Sequence, residues 1–180
     1  MSSEGSGGFD AGFWDLRPLV GMVHLRALPG SPRHTGESLD RIVQHALADA
    51  AALEAGGASA ILVENFFDSP FSKGQVGPHT VAVMTAAVIE LRRAAAIPLG
   101  VNVLRNDCKS ALAIAHTCGA RFVRINVFVG AAITDQGVIE GAAREAALYR
   151  RELGADVELW ADIFVKHASQ LGSCSPEDAA

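Results

Sequence analysis

The stretch Cys118-Gly119-Ala120-Arg121-Phe122-Val123-Arg124-Ile125-Asn126-Val127 decides the fold. It passes from the end of an Ala-rich segment with helical spacing, through a Gly-Ala pair, into a β-branched run. A glycine just past the last turn relieves the left-handed backbone that ends a helix. The same grammar recurs on both sides. Gly56-Gly57-Ala58 and Gly154-Ala155 each stand between a helical segment and the next strand, and Pro98 terminates a helix ahead of another. Strands are expected over 19–24, 60–65, 99–103, 122–127 and 157–163, and helices over 38–55, 80–95, 107–118 and 139–153. Such alternation builds a parallel sheet, and a unit of roughly 35 residues is the period of a (β/α) barrel or a doubly wound sheet. A dinucleotide-binding doubly wound fold would carry G-x-G-x-x-G in its first βα turn. That turn instead reads LRALPGSPRHTGES over 25–38, with Gly30 and Gly36 wrongly spaced and Pro32 between them. No phosphate-cradling G-x-x-x-x-G-K-[ST] occurs, and no cofactor is expected.

The 180 residues are 49% hydrophobic, 19% charged and 6% aromatic, a soluble globular composition at a length suited to one domain. Fifteen Lys plus Arg against 20 Asp plus Glu give a formal charge of −5, with no basic run to grip nucleic acid or an anionic membrane surface. No apolar stretch approaches a membrane span. Cys108, Cys118 and Cys174 are too few and too irregular for a disulfide framework or a zinc site, so they read as reduced thiols and the expected location is cytoplasmic. The Ser/Gly-rich start reads as a disordered lead-in over residues 1–17.

Every expected strand ends in a hydrogen-bonding side chain: His24, Glu64, Asn102, Asn126 and Asp162. Period-two alternation adds Arg124 to the face of Asn126. In parallel α/β folds ligands bind at these carboxyl ends. Arg124 lies inside an apolar run and requires an acceptor, which Glu64 or Asp162 can supply. A guanidinium held by two carboxylates can offer its remaining donors to an anionic ligand, and the alternative is a structural ion pair bridging strands. Asp107 is placed as a helix N-cap, with Arg105 and Asn106 in the loop ahead of it. Asp162 and Lys166 share parity if the last strand stays extended, and His167 follows them. His24, Glu64 and Asp162 lack metal-ligand spacing, so hydrogen bonding ranks above metal binding and no metal is expected. His34, His45, His79 and His116 read as surface or packing residues. The small residues of 129–137 suggest a mobile loop closing over a site.

Five ordered segments resemble the BtpA/SgcQ family: GMVHLRALPGSP (21–32), VENFFDSPF (63–71), GVNVLRNDCKSAL (100–112), RINVFVGAAITDQGVIEG (124–141) and ADIFVKHAS (161–169). The resemblance implies a (β/α)8 TIM barrel of the ribulose-phosphate-binding type. It also implies a divided functional picture. The family takes its name from a protein associated with photosystem I biogenesis, whereas other members look like enzymes of sugar metabolism.

Against that plan the sequence holds about five βα units. Residues 18–180 read as the N-terminal part of a single barrel domain, truncated at the start of a fifth helix, where Ser175-Pro176-Glu177-Asp178 supplies a helix N-terminus. An open barrel exposes its first and fifth strands, so association through those edges, or as a homo-oligomer, is expected. The functional expectation is an enzyme acting on a small phosphorylated or sugar-like metabolite at the carboxyl-end mouth. Glu64, Asp162 and His24 would move protons, and Asn102, Arg105, Arg124, Asn126 and Lys166 would bind substrate. The alternatives are a non-catalytic assembly or stability factor for a larger complex, and an inactive fragment.

Overall fold

A computed structural model of the chain describes Phe9, residues 11–172 and Glu177. In chain order the elements are α1 (Ala11–Asp15), β1 (Val20–His24), α2 (Leu39–Ala55), β2 (Ala60–Glu64), a 3-10 turn (Phe66–Asp68), α3 (Pro78–Ala94) and β3 (Leu99–Asn102). There follow α4 (Cys108–Cys118), β4 (Phe122–Ile125), β5 (Ala131–Thr134), β6 (Gly137–Glu140), α5 (Ala143–Glu152), β7 (Glu158–Ala161) and β8 (Ser169–Gln170). Local chemistry sets several of these boundaries. The Ser38 side chain accepts from Arg41 N at 3.4 Å to start α2, and the Asp107 carboxylate accepts from Ser110 N at 3.0 Å to start α4. Gly119 ends α4 at φ 70°, a conformation a side chain resists.

The large sheet has the order β1-β2-β3-β4-β7, with every pairing parallel. Strand order therefore follows chain order without a reversal, so each crossover passes over the same face. The helices pack in succession along that face, α2 on α3, α3 on α4 and α4 on α5. A doubly wound sheet reverses its order and places helices on both faces. This chain is an α/β fold of the TIM-barrel-like kind, with α2 to α5 together on one face of the sheet.

Side-chain alternation divides the apolar residues accordingly. Val23, Val63, Val101 and Val123 point toward the helices and pack with Ile42, Met84, Val88 and Leu112, all fully buried. The concave face carries Ala60, Leu62 and Phe122 near the amino ends, with Met22 and Trp160 packed against them. Gly100 belongs to this face because a Cβ there would collide with the Phe122 ring.

Four expectations are corrected. The lead-in is not wholly disordered: α1 forms within it, and Phe9, Phe13 and Trp14 stack among Phe122 and Trp160. Residues 1–8 and 10 lie outside the described residues. The segment after β4 is a hairpin rather than an irregular loop. β5 pairs with β6 antiparallel, and Gly137 at φ 96° takes the turn while Thr134 Oγ1 donates to Gly137 O at 2.9 Å. The helix expected from 139 consequently begins at Ala143, since Val138 and Ile139 are held in β6. The last strand of the large sheet stops at Ala161, and β8 pairs with β5 instead. The helix start expected at 175–178 and Cys174 fall outside the described residues, apart from Glu177, which is helical.

The hairpin and β8 make a small antiparallel sheet, β6-β5-β8, at the carboxyl end. Its apolar centre is Val127, Ala132, Ile139 and Val165. Asn106 fastens it to the loop after β3: Nδ2 donates to Val127 O at 3.0 Å, and Oδ1 accepts from Val127 N at 2.9 Å.

Candidate functional site

Register brings the polar strand ends together. His24 pairs with Glu64, and Glu64 with Asn102, so three side chains stand abreast on the concave face. Gly100 pairs with Phe122, which places Asn102 level with Arg124, and Arg124 pairs with Trp160, which places Asn126 level with Asp162. Adjacent strands lie about 4.8 Å apart, within reach of direct hydrogen bonds between such neighbours.

Those bonds form one continuous network. Arg124 donates from Nε to Asp162 Oδ1 and from Nη2 to Asp162 Oδ2, both at 2.8 Å, in a bidentate fork. Its Nη1 donates to Glu64 Oε1 at 3.0 Å. Asn102 Nδ2 donates to the same Glu64 oxygen at 2.7 Å and lies 3.3 Å from Asn126 Oδ1. Asn126 Nδ2 donates to Asp162 Oδ2 at 3.1 Å. At the other end His24 Nε2 lies 3.4 Å from Glu64 Oε2, and its ring stacks on Phe66 with centroids 4.2 Å apart. Glu64, Asn102 and Asn126 are buried, whereas the side chains of Arg124 and His24 keep 28% and 33% of their exposure. The network is thus sunk into the sheet and open at Arg124 and His24.

Its electrostatics follow from the pairing. The bonds to Asp162, with the attraction of Asp162 and then Glu64, raise the Arg124 pKa above its usual value against the opposing effect of burial. Two carboxylates against one guanidinium leave one net negative charge when His24 is neutral. Arg124 has five N–H donors and spends three on the two acids, so two remain.

Two expected site residues stand apart from this network. Lys166 does not share the face of Asp162, because the chain leaves the sheet after Ala161 and Lys166 lies in an exposed turn. Arg105 is buried in the loop after β3, and its Nη2 donates to the backbone carbonyl of Lys166 at 3.0 Å. Among the described residues no group of three or more His, Cys, Asp and Glu has the arrangement of a metal site.

Sequence reading missed a supporting pair. Asn65 Nδ2 donates to Asp68 Oδ2 at 3.0 Å, Asn65 Oδ1 accepts from Leu104 N at 2.8 Å, and Asp68 Oδ1 accepts from Leu28 N at 2.7 Å. Both side chains are buried, and together they tie the loops after β1, β2 and β3 beside the network. The signal available was Asn65 itself, a polar residue directly after Glu64 with no strand neighbour to bond.

Fold and network define a TIM-barrel-like α/β protein that gathers acids, amides and a guanidinium at the carboxyl ends of its parallel strands. No described helix is long and apolar enough to cross a membrane. The family model for the BtpA family matches residues 15–180, and the chain belongs to that family. The photosystem I biogenesis protein BtpA of Synechocystis is 51% identical over 161 residues, covering 89% of this chain and 56% of that protein. An uncharacterised protein of Pyrococcus horikoshii is 46% identical over 157 residues, covering 87% of this chain and 60% of its own length. A mitochondrial uncharacterised protein of Caenorhabditis elegans is 33% identical over 160 residues, covering 85% and 57%. The chain thus spans somewhat more than half the length of these relatives.

Proposed function

We propose that His24, Glu64, Asn102, Arg124, Asn126 and Asp162 form the ligand-binding and acid–base centre of an enzyme acting on a small, hydroxyl-rich, sugar-like metabolite. The observation that carries this reading is the unbroken run of hydrogen bonds from Glu64 to Asp162 across the strand ends, with His24 at its margin. A carboxylate fixed by Asn102 and Arg124 can orient the imidazole of His24 and balance the charge it takes on when it accepts a proton. The spare donors of Arg124 suit an oxygen on which negative charge develops during reaction. While His24 is neutral, the net negative charge of the cluster favours hydroxyl groups over a second anion in contact with it. Cytoplasmic residence and association through the outer edges of β1 and β7 belong to the same proposal.

Calorimetric titration of the full chain with a panel of pentoses, hexoses and their phosphates tests it. At least one member is expected to bind saturably, and Glu64→Gln and His24→Gln are expected to weaken it without changing the far-UV circular dichroism. If both variants bound the same ligand as tightly as the parent, the centre would have to lie elsewhere.

A second reading takes its support from the printed name of the Synechocystis relative, which is a biogenesis protein. A chain with that role would retain complementing activity in Glu64→Gln and Asp162→Asn and would retrieve a protein partner in pull-downs.

A further inference from the structure

Two arginines of the rim have opposite circumstances. Arg105 is only 8% exposed, yet one contact accounts for its guanidinium, the bond from Nη2 to Lys166 O at 3.0 Å. Its Nε is buried with no hydrogen-bond partner, and among the described residues neither Arg105 nor Lys166 forms an ion pair. Arginine cannot shed its proton to escape this, and an unpaired buried charge is among the costlier things a fold can retain. The surrounding backbone holds the residue in place regardless. Leu104 N donates to Asn65 Oδ1 at 2.8 Å just before it, the Asn106 side chain is bonded in both directions to Val127 just after it, and Arg105 N faces Ser72 O at 3.4 Å.

Arg105 thereby holds the backbone of Lys166, whose own side chain is exposed. The loop after β3 is thus tied to the segment after β7 by two residues whose cations have no acid partner among the described residues. The sheet order β3-β4-β7 puts β4, the strand of Arg124, between those two points. The pair thus adjoins the acid–amide network without belonging to it.

We propose that Arg105 and Lys166 form an oxyanion subsite that takes the phosphate or carboxylate group of a small metabolite. The proposal rests on reading the neighbouring network as the centre for that metabolite's hydroxyl groups. With His24 neutral the network carries a net negative charge and disfavours an anion, whereas a guanidinium fork with spare donors matches two oxygens of either group. The metabolite is therefore acidic at one end and hydroxyl-rich at the other, spanning from the loop after β3 to the ends of β4 and β7.

The test follows the melting temperature of the full chain during titration with inorganic phosphate and, separately, acetate, each against sodium chloride of equal ionic strength. A saturable rise in Tm above the chloride control is expected, with the tighter of the two anions identifying the acidic group. Arg105→Met is expected to melt higher than the parent without anion, because an unpaired charge has been removed, and to lose affinity at least ~10-fold, so that the order reverses in saturating anion. A merely structural Arg105 would instead make the variant melt lower under both conditions, which overturns the proposal. So does the absence of any saturable rise in the parent. Should Arg105→Met fail to fold, Lys166→Gln decides: its exposed side chain leaves Tm unchanged, and an affinity equal to the parent's would sink the two-cation site. Parallel titrations of the parent with neutral sugars and with phosphate separate the two readings. If phosphate binds but sugars do not, the network reading falls alone; if sugars bind and no anion does, only the subsite falls.

Discussion

Arg124 and Arg105 stand on the same rim of the same sheet and differ in what surrounds them. Arg124, with more than a quarter of its side chain open, meets two carboxylates through three hydrogen bonds. Arg105, deeper, meets one backbone carbonyl. The more buried cation is the less satisfied one, the reverse of what stability alone selects. Cys108 supplies a third term. It too is buried beside acids, but it can remain neutral, and burial, then Glu145 and Asp107, push its thiol up to about 12. A buried group with a removable charge discards it; one with a permanent charge needs a partner.

Breaking the satisfied pair gives the largest effect. Arg124→Ala leaves Glu64 and Asp162 facing each other without a counter-charge, and a loss of about 3 kcal/mol is expected in urea unfolding at neutral pH. A loss under about 1 kcal/mol would show that the fork is held by the site rather than holding it.

The thiol comes next. Above pH 9 the unfolded chain releases the Cys108 proton while the folded chain keeps it until about 12, so the unfolded state binds fewer protons and stability falls as pH rises. The contribution is complete below pH 9 and is lost at no more than about 1.4 kcal/mol per pH unit, or about 2 kcal/mol by pH 10.5. Unfolding series at pH 8 and 10.5 on the parent and Cys108→Ala measure it, and the variant is expected to show the shallower slope.

The smallest effect sharpens the comparison within the network. Asn102→Ala removes the 2.7 Å bond to Glu64 but leaves Arg124 in place, and about 1.5 kcal/mol is expected. Combined with Arg124→Ala the two losses should depart from additivity, since both act on one oxygen of Glu64.

What the sequence disclosed follows the range of the interactions concerned. Ser38, Asp107 and Gly119 act within four residues of themselves, so helix boundaries near them were readable. Glu64, Arg124 and Asp162 can be brought together from sequence because parallel register and side-chain parity are nearly rigid once strands are assigned. The hairpin was hidden because each strand has only four residues and the run Gly130-Ala131-Ala132 resembles a flexible loop. The aromatic anchors Phe9 and Trp14 are diluted among polar and small residues, and their partners Phe122 and Trp160 lie more than a hundred residues away. The isolation of Arg105 was beyond local reading for the same reason, since its single contact spans 61 positions.

The aromatic cluster also fixes what light can report. The chain has two tryptophans, Trp14 and Trp160, and their ring centroids lie 5.2 Å apart, with Phe122 stacked on Trp160 at 3.7 Å. Ultraviolet emission excited at the red edge therefore originates from a single coupled chromophore pair, one member on the N-terminal helix and the other on β7. The colour and anisotropy of that emission monitor whether the helix is docked on the sheet, and a tryptophan-free N-terminus made by Trp14→Phe would turn Trp160 into a solitary beacon beneath Asp162.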